Sequence, residues 1–452
     1  MTQTPTARSS APAVALTPER RKEQRKVLAG TLVGTSIEWY DFFIYAQAAA
    51  LVLGPLFFAP LKGSNPGMEA VISFATIGIS FLFRPLGAIV AGHLGDKLGR
   101  KRMLVLTLIL MGASTALIGL LPTYTQIGLA APLLLILLRV LQGFSAGGEW
   151  GGAALMAVEH APRNKRGLFG AYPQIGVPVG MILATAVLYV IQLIIGQAEF
   201  LAWGWRLPFL FSIVLVLVGF FIRRSVEESP VFLELQERKR ESSAPLGQLF
   251  RKNTKQVILA ALIFISNNAA GYLLIAFFIS YLSKHLKVPM PGVLLTTALA
   301  SFGWLIFTLL GGWLSDKWGR VRTFQIGYLI VLAWVIPMWF LIDTASLPLY
   351  FIAAFVLTIG LGLSYGPQAA LYAEMFPPHV RYSGVSIGYA LGAILGGAFA
   401  PMIAEAILNG TGKSWMIGLY LAGLTVISLV AVSLVKDRSG IDLGVDHEAE
   451  AK

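Results

Sequence analysis

Long apolar stretches alternate with short polar ones along most of the chain. A helix needs roughly 20 apolar residues to cross a bilayer core about 30 Å thick. Because no water is available there to bind backbone amides, such stretches must form helices. The pattern predicts an all-α membrane protein with twelve transmembrane helices, at about 27–53, 69–92, 103–121, 131–158, 167–195, 204–222, 256–283, 291–314, 323–342, 347–375, 382–408 and 414–435.

One long polar segment divides the predicted spans into two groups of six. We expect an N-terminal tail at 1–26, a six-helix bundle at 27–222, a central loop at 223–255, a second bundle at 256–435 and a C-terminal tail at 436–452. The loop is mixed in charge, and we interpret it as a connector without specific function. The first tail has no apolar core before a small-residue site, so no cleaved signal peptide is expected.

Composition and charge agree with a membrane protein. The chain of 452 residues is 56% hydrophobic and only 13% charged, which is too apolar for a water-soluble protein of this length. Its net charge of +12 comes from basic residues in alternate loops, a pattern that orients membrane proteins. We therefore expect both termini in the cytoplasm, the bilayer as surroundings and no nucleic-acid partner. There are no cysteines, which excludes thiolate metal sites, and we expect no metal or cofactor.

One loop sequence occurs twice. Gly92-His-Leu-Gly-Asp-Lys-Leu-Gly-Arg-Lys-Arg102 follows the second span, and Gly312-Trp-Leu-Ser-Asp-Lys-Trp-Gly-Arg-Val-Arg322 follows the eighth. The matched positions are close to half a chain apart, which indicates that the two halves are parallel repeats. Parallel six-helix repeats around a central site are a known plan for transporters.

The repeated loop has the chemistry of a latch. Its glycine permits a tight turn with positive φ. Asp96 and Asp316 can pair with arginine or cap the N-terminus of a neighbouring helix, and Arg100 and Arg320 are the candidate partners. We predict a latch that breaks when the halves rock against each other. The simpler alternative is charge that only sets the topology.

Several further motifs accompany this loop. They are Glu38-Trp-Tyr-Asp41, Phe83-Arg-Pro-Leu-Gly87, Arg139-Val-Leu-Gln-Gly-Phe-Ser-Ala-Gly-Gly-Glu-Trp-Gly-Gly152, Trp203-Gly-Trp-Arg-Leu-Pro-Phe209, Glu227-Glu-Ser-Pro230 and Glu374-Met-Phe-Pro-Pro-His-Val-Arg381. Together they resemble the major facilitator superfamily, more narrowly its metabolite:proton symporter branch, and the fourth span looks most like bacterial shikimate permeases. The resemblance implies proton-coupled import of carboxylates such as shikimate, 2-oxoglutarate and citrate, or of zwitterions such as proline and betaine.

Five carboxylate or guanidinium side chains lie near the middle of the bilayer in the predicted spans of the first half: Glu38, Asp41, Arg84, Arg139 and Glu149. A charge at this depth costs a few kcal/mol, so each is a candidate functional residue. Glu38 and Asp41 share one helix face, and Gln142 and Glu149 share another. We expect these faces to meet around one central cavity. Three acids then face two arginines, and a buried carboxyl group without a cation favours its protonated form.

We therefore predict Asp41 or Glu38 as the proton site, with Glu149 bridging to an arginine. Arg139 is the first candidate for a substrate carboxylate, because its guanidinium group matches that geometry. The resemblance also links the Arg-x-x-x-Gly motif at Arg139 to proton coupling, so its role stays divided. A purely structural ion network is the alternative for all five residues.

At the corresponding depth in the second half, the polar residues are neutral. Their amide and phenol groups can form hydrogen bonds with a hydroxylated ligand, and the phenol rings can stack on it. The candidate substrate-binding residues are Arg139, Arg84, Gln142, Gln174, Asn267, Asn268, Tyr272, Tyr365, Gln368 and Tyr389. We expect a monomeric symporter, not an enzyme, that carries H+ with a small organic anion such as a shikimate-like carboxylate. Uptake of a zwitterionic osmolyte or of a di- or tricarboxylate is the alternative, and a channel or sensor is a further one.

Overall fold

The computed structural model describes residues 18–58, 68–98, 100–147, 149–225, 245–378, 380–441 and 443. This part of the chain contains helices and no strands. We number the membrane helices α1 to α12. The first six are α1, Pro18–Ala48 with Ala49–Leu53 and Gly54–Phe57; α2, Met68–Leu98; α3, Arg100–Leu120; α4, Ala130–Ala146 and Glu149–Glu159; α5, Arg166–Glu199 and Phe200–Gly204; and α6, Arg206–Ser225.

The second half repeats this plan. Its helices are α7, Thr254–Tyr272 with Leu273–Phe277, Phe278–Ser280 and Tyr281–His285; α8, Met290–Trp318; α9, Arg320–Trp334 and Pro337–Ile342; α10, Leu347–Tyr365 and Gln368–Met375; α11, Arg381–Ala393 with Ile394–Ala398 and Ala400–Thr411; and α12, Trp415–Ser433. Short helices outside the twelve are Tyr124–Ile127, Arg163–Lys165 and Pro245–Lys252.

Nine of these helical stretches, counted over the described residues, are long and apolar enough to cross a membrane. α3 and α6 have shorter apolar cores, Val105–Leu120 and Arg206–Phe221. α9 completes the set and is interrupted before Pro337, where a proline cannot donate the backbone hydrogen bond of a regular helix. The twelve-helix, all-α membrane architecture predicted from hydropathy is therefore confirmed.

Helix ends differ in places from those predicted. α2 continues to Leu98, several residues beyond the apolar stretch that marks it in the sequence. Between the halves, α6 extends to Ser225 and Pro245–Lys252 is helical. Residues 226–244 of the predicted central loop lie outside the described part of the chain, as do most residues of both tails.

α1, α7 and α11 each contain a π-helical turn: Ala49–Leu53 in α1, Leu273–Phe277 in α7 and Ile394–Ala398 in α11. The turns of α1 and α7 contact each other across the two halves. Such single π turns occur often at functional sites, since they widen the helix and redirect its side chains.

Close approach of α5 and α8 joins the halves at one end. A Cβ atom on Gly312 would lie 2.6 Å from the Cβ of Ala171 and 2.7 Å from the carbonyl oxygen of Gly167. Beyond it, Gly319 turns the chain from α8 into α9 with a φ of 92°. Only glycine adopts such a backbone readily, as the repeated loop predicts. We call this end of the bundle the loop end and the other the opposite end.

Candidate functional site

A small cavity lies between the two halves. Helices α1 and α5 form one side of it, and α7, α8 and α10 form the other. Its wall is largely aromatic, with a few polar groups, a composition common in ligand sites. The lining residues with aromatic or polar side chains are Trp39, Phe43, Phe264, Asn267, Asn268, Tyr272, Trp304 and Tyr365.

Four polar atoms of this wall are buried and make no hydrogen bond within the described part of the chain. They are the indole Nε1 of Trp39 and of Trp304, the amide Nδ2 of Asn268 and the hydroxyl of Tyr272. All four can donate a hydrogen bond. Leaving such a group unsatisfied costs about 1–3 kcal/mol. The cavity is therefore equipped to receive acceptor oxygens from water or from a ligand.

Asn267 differs from its neighbour Asn268, because its amide nitrogen is already bonded. It donates to the carbonyl oxygen of Leu361 at 2.9 Å and to Ser364 Oγ at 2.8 Å, both on α10. Its donors therefore tie α7 to α10, although the residue also lines the cavity.

Arg84 lies behind the cavity wall in an aromatic nest. Its guanidinium carbon is 4.3 Å from the ring centre of Phe42, 4.5 Å from that of Phe81 and 5.4 Å from that of Trp39. Its Nη2 is 3.9 Å from Glu38 Oε1, and both side chains are buried. Arg84 and Glu38 thus form an ion pair next to the cavity, and neither residue lines it.

Arg139 is fully buried, and the partners that the structure gives it are neutral. It donates to Gln142 Oε1 and to Ser80 Oγ, each at 2.6 Å, and to the backbone of α2 at Thr76 and Ile77. The ring of Tyr45 lies 3.7 Å from its guanidinium carbon. No carboxylate pairs with Arg139 among the described residues, so its guanidinium group is held by neutral acceptors.

Asp41 points away from the cavity, toward α6. Its Oδ1 accepts a hydrogen bond of 2.7 Å from Ser212 Oγ, and Thr115 of α3 lies beside the same carboxylate. The side chain is completely buried, and in the described part of the chain it has no ion-pair partner. Glu38 and Asp41 therefore serve different neighbours, although they are three residues apart.

None of the five charged side chains is among the residues that line the cavity. Glu149 is buried at the start of the second segment of α4. This distribution differs from the single cluster expected from helical spacing, because two different helices pack against the face that Glu38 and Asp41 share. Glu38 contacts Arg84 of α2, and Asp41 contacts Ser212 of α6.

An aromatic stack closes the loop-end side of the cavity. The Trp150 and Tyr389 rings are 3.7 Å apart and nearly parallel, and Phe264 stacks on Tyr389 at 4.4 Å. Gln174 accepts from Trp150 Nε1 at 2.7 Å and donates to the carbonyl oxygen of Tyr365 at 3.2 Å. Gln174 and Tyr389, expected as substrate contacts, here join the two halves beneath the cavity.

Gln368 is also buried, on the second segment of α10, and it is not among the residues that line the cavity. Tyr365 both lines the cavity and places its hydroxyl 3.3 Å from that of Tyr389. Of the second-half candidates, Asn267, Asn268, Tyr272 and Tyr365 therefore face the cavity directly.

Asp316 ties the halves together at the loop end. Its two carboxylate oxygens accept from the backbone N–H groups of Gly167 and Leu168, at 2.8 and 2.9 Å, in the first turn of α5. Arg320 donates to Asp316 at 2.7 Å and to Glu374 at 3.2 Å. A carboxylate at a helix N-terminus is stabilised by the free amides and the helix dipole. The side chains of Asp96 and Arg100, the first copy, lie outside the described part of the structure.

The opposite end is closed as well. Phe74 of α2 and Phe277 of α7 approach to 6.5 Å between ring centres, and Gln192 Nε2 lies 2.9 Å from the sulfur of Met290 across α5 and α8. Contacts between the halves therefore occur on both sides of the cavity.

Comparison with known proteins agrees with this architecture. The chain matches the Major Facilitator Superfamily over residues 31–401 and, in a second match, over residues 268–443. The chain belongs to this superfamily. It is 38% identical over 419 residues to the inner membrane metabolite transport protein YhjE of Escherichia coli, with 92% of this chain and 94% of that protein covered. Membership of the superfamily and the similarity to this transport protein identify the chain as a multi-pass membrane transporter of metabolites and not an enzyme.

Two other superfamily relatives are named after the substrates that they carry. The shikimate transporter of Escherichia coli is 36% identical, with 91% of this chain and 94% of that protein covered. The proline/betaine transporter of Salmonella typhimurium is 33% identical, with 91% and 83% covered. Among solved structures, the proton:xylose symporter XylE bound to 6-bromo-6-deoxy-D-glucose superposes with a TM-score of 0.75 at 18% identity, over 96% of this chain and 99% of that one. That likeness shows the superfamily fold.

Trp39 and Trp304 supply two of the four unpartnered donors, but neither was predicted from the sequence as a site residue. Their depth within the predicted spans could have identified them. Tryptophan in membrane proteins concentrates at the interfaces, whereas both residues fall well inside their spans. A tryptophan at that depth, on a helix that also carries polar residues, is a candidate ligand contact.

Proposed function

We propose that this transporter imports a small organic acid together with H+ by alternating access. The observation that carries the proposal is the set of four unpartnered donors around a cavity between the halves, with two buried arginines behind the wall. A carboxylate with hydroxyl groups supplies the acceptor atoms that these donors lack.

The electrostatics of the cavity support an anion. No acidic side chain belongs to the cavity lining that the structure describes. The charges of Arg84, Arg139 and Glu38 all act on the hydroxyl of Tyr272, and the two cations outnumber the single acid. An anion held by Tyr272 would lie in their combined positive field, which is strong where water is excluded.

A zwitterion such as proline or betaine is the second candidate, and a specific observation favours it. Trp39, Phe43, Phe264 and Trp304 line the cavity, and aromatic rings bind ammonium groups through cation–π contacts. Its carboxylate would use the same donors. A hydroxylated acid uses more of them, because its hydroxyl oxygens accept hydrogen bonds and an ammonium group accepts none.

Asp41 is the proposed proton carrier. It is fully buried, has one hydrogen bond to Ser212 and no ion-pair partner among the described residues. Burial away from a cation favours the neutral form of a carboxyl group. Glu38, by contrast, has Arg84 within ion-pair distance, which opposes its protonation. We therefore assign the proton to Asp41 and the anion to the Tyr272 side of the cavity.

The transport cycle follows from the two closed ends. We propose that the loop end faces the cytoplasm, with both termini on that side, as the basic loops predict. Release of Asp316 from the first turn of α5 then opens the cavity inward. Separation of Phe74 from Phe277 opens it outward.

Uptake into proteoliposomes tests the proposal. Purified protein is reconstituted with an inwardly directed pH gradient and given radiolabelled shikimate, benzoate, citrate, proline or betaine. Saturable accumulation of shikimate or benzoate that a protonophore abolishes is the expected result. Accumulation of betaine alone would select the second candidate, and uptake that ignores the pH gradient would contradict proton coupling.

The variant Asp41→Asn separates coupling from binding. It is expected to lose accumulation driven by the pH gradient and to keep exchange of internal for external substrate, since exchange needs no net proton movement. Ser212→Ala, which removes the bonded hydroxyl and leaves the carboxyl group, is the matched control and should retain accumulation. Full accumulation by Asp41→Asn would reject Asp41 as the carrier.

A further inference from the structure

Between Asp41 and Arg139 stand two neutral side chains, Thr115 of α3 and Gln142 of α4. We propose that these are positioning residues that couple protonation of Asp41 to the orientation of Arg139. The inference rests on the proposed function, which gives Asp41 the proton and Arg139 a part in attracting the anion. It adds the connection between the two.

The bridge consists of short hydrogen bonds in a fully buried region. Gln142 Nε2 donates to Thr115 Oγ1 at 2.6 Å, and Gln142 Oε1 accepts from Arg139 Nη1 at 2.6 Å. Thr115 in turn lies beside the Asp41 carboxylate. All four side chains are at most 1% exposed, so water does not screen them.

The orientation of Gln142 matches the charges on either side. Its NH2 group, the positive end of the amide dipole, is directed toward Thr115 and Asp41. Its oxygen, the negative end, is directed toward Arg139. A chain of hydrogen bonds in a low dielectric polarises along its length. A charged Asp41 therefore strengthens the hold of Gln142 on Arg139, and a protonated Asp41 weakens it.

Thr115 can respond to the proton because it has a single hydroxyl hydrogen. In the structure it donates to the carbonyl oxygen of Met111 at 3.0 Å while accepting from Gln142. A charged Asp41 attracts that hydrogen away from Met111, whereas a protonated Asp41 has its own hydrogen to offer. The bridge thus changes its hydrogen-bond arrangement without any large movement.

Other titratable groups do not replace this connection. On α1 itself, Glu38 interacts with the charge of Asp41 but is within ion-pair distance of Arg84 of α2, and Tyr40 donates to the carbonyl oxygen of Pro208. α4 contributes Glu149 and α7 contributes Tyr272. The membrane parts of α3 and α6 have no ionisable residue, and that of α5 has only tyrosines at 172 and 189.

A double-mutant cycle without any substrate tests the bridge. Asp41→Asn, Arg139→Gln and the double variant are compared by thermal unfolding of the purified protein. Their shifts in midpoint are expected to be non-additive in the native background, and the non-additivity should shrink as pH is lowered and Asp41 becomes protonated. In a Gln142→Leu or Thr115→Val background the shifts should be additive at every pH.

Two controls separate coupling from simple destabilisation. Thr115→Ser keeps the hydroxyl and should keep the coupling. Gln47→Leu removes a buried glutamine whose Nε2 donates to Thr185 Oγ1 at 2.6 Å, a bond equal in length to that of Gln142, and should leave the cycle unchanged.

Coupling that persists in both Gln142→Leu and Thr115→Val, or that is absent from the native background, would overturn the inference. Failure of every acid to accumulate in the uptake assay would instead overturn the proposed function. Because the cycle contains no substrate, the two failures can be told apart.

Discussion

The hydroxyl of Tyr272 allows an unusual prediction, in which one substitution changes stability and affinity in opposite directions. It is buried in the cavity wall and has no hydrogen-bond partner in the described structure. Tyr272→Phe removes an unsatisfied group, so the thermal unfolding midpoint of the substrate-free protein should stay the same or rise. In the complex, the hydroxyl would donate to the carboxylate of the substrate. A hydrogen bond to a charged group contributes about 1.5–3 kcal/mol, which corresponds to a roughly 10- to 100-fold loss of affinity.

Isothermal titration of the acid that the uptake assay identifies measures this loss directly. Tyr328→Phe is the matched control, because Tyr328 is equally buried but its hydroxyl donates to the carbonyl oxygen of Ile263. That variant should lower the unfolding midpoint and leave the affinity unchanged. Unchanged affinity in Tyr272→Phe, or a large loss of stability, would refute the assignment of the hydroxyl to the substrate.

Two further predictions concern the loop end, and the absence of cysteine from the chain makes a single Ala171→Cys reporter between α5 and α8 practical. Asp316→Asn loses charge-assisted hydrogen bonds to α5 and to Arg320, and each such bond contributes about 1.5–3 kcal/mol. Thiol labelling of the reporter should therefore be about tenfold faster or more. An unchanged labelling rate would contradict the latch. A chain ending at Lys436 loses Ile441, whose carbonyl oxygen accepts from Arg166 of α5 at 2.5 Å, and Leu443, whose carbonyl oxygen accepts from Arg381 of α11 at 2.8 Å. Labelling of the reporter should again be faster. An unchanged or slower rate would show that the tail does not hold the loop end closed.

Twelve helices and their duplication could be predicted from the sequence because both depend on local features. Membrane crossing sets the length of each apolar stretch, and two copies of one loop mark the repeat. The positive φ of Gly319 and the capping of α5 by Asp316 follow from the same loop. These features depend on the few residues around them, so a single sequence suffices to predict them.

The exact partners of the buried charges could not be predicted in this way. Helical spacing places Glu38 and Asp41 near one face but does not say that α2 lies beside the first and α6 beside the second. Likewise, the sequence predicts Tyr389 as a ligand contact, whereas in the structure Trp150 of α4 stacks on its ring. Such assignments depend on how each helix is rotated against its neighbours, which only the packed structure specifies.

If Asp41 carries a proton with each acid molecule, a gradient of the acid alone must move protons across the membrane. Proteoliposomes with equal pH on both sides and a trapped pH dye receive an inward gradient of the transported acid, with the membrane potential clamped to zero. We predict acidification of the lumen that depends on the acid, saturates with its concentration and is lost in Asp41→Asn. Entry of the labelled acid without any change in luminal pH would contradict it.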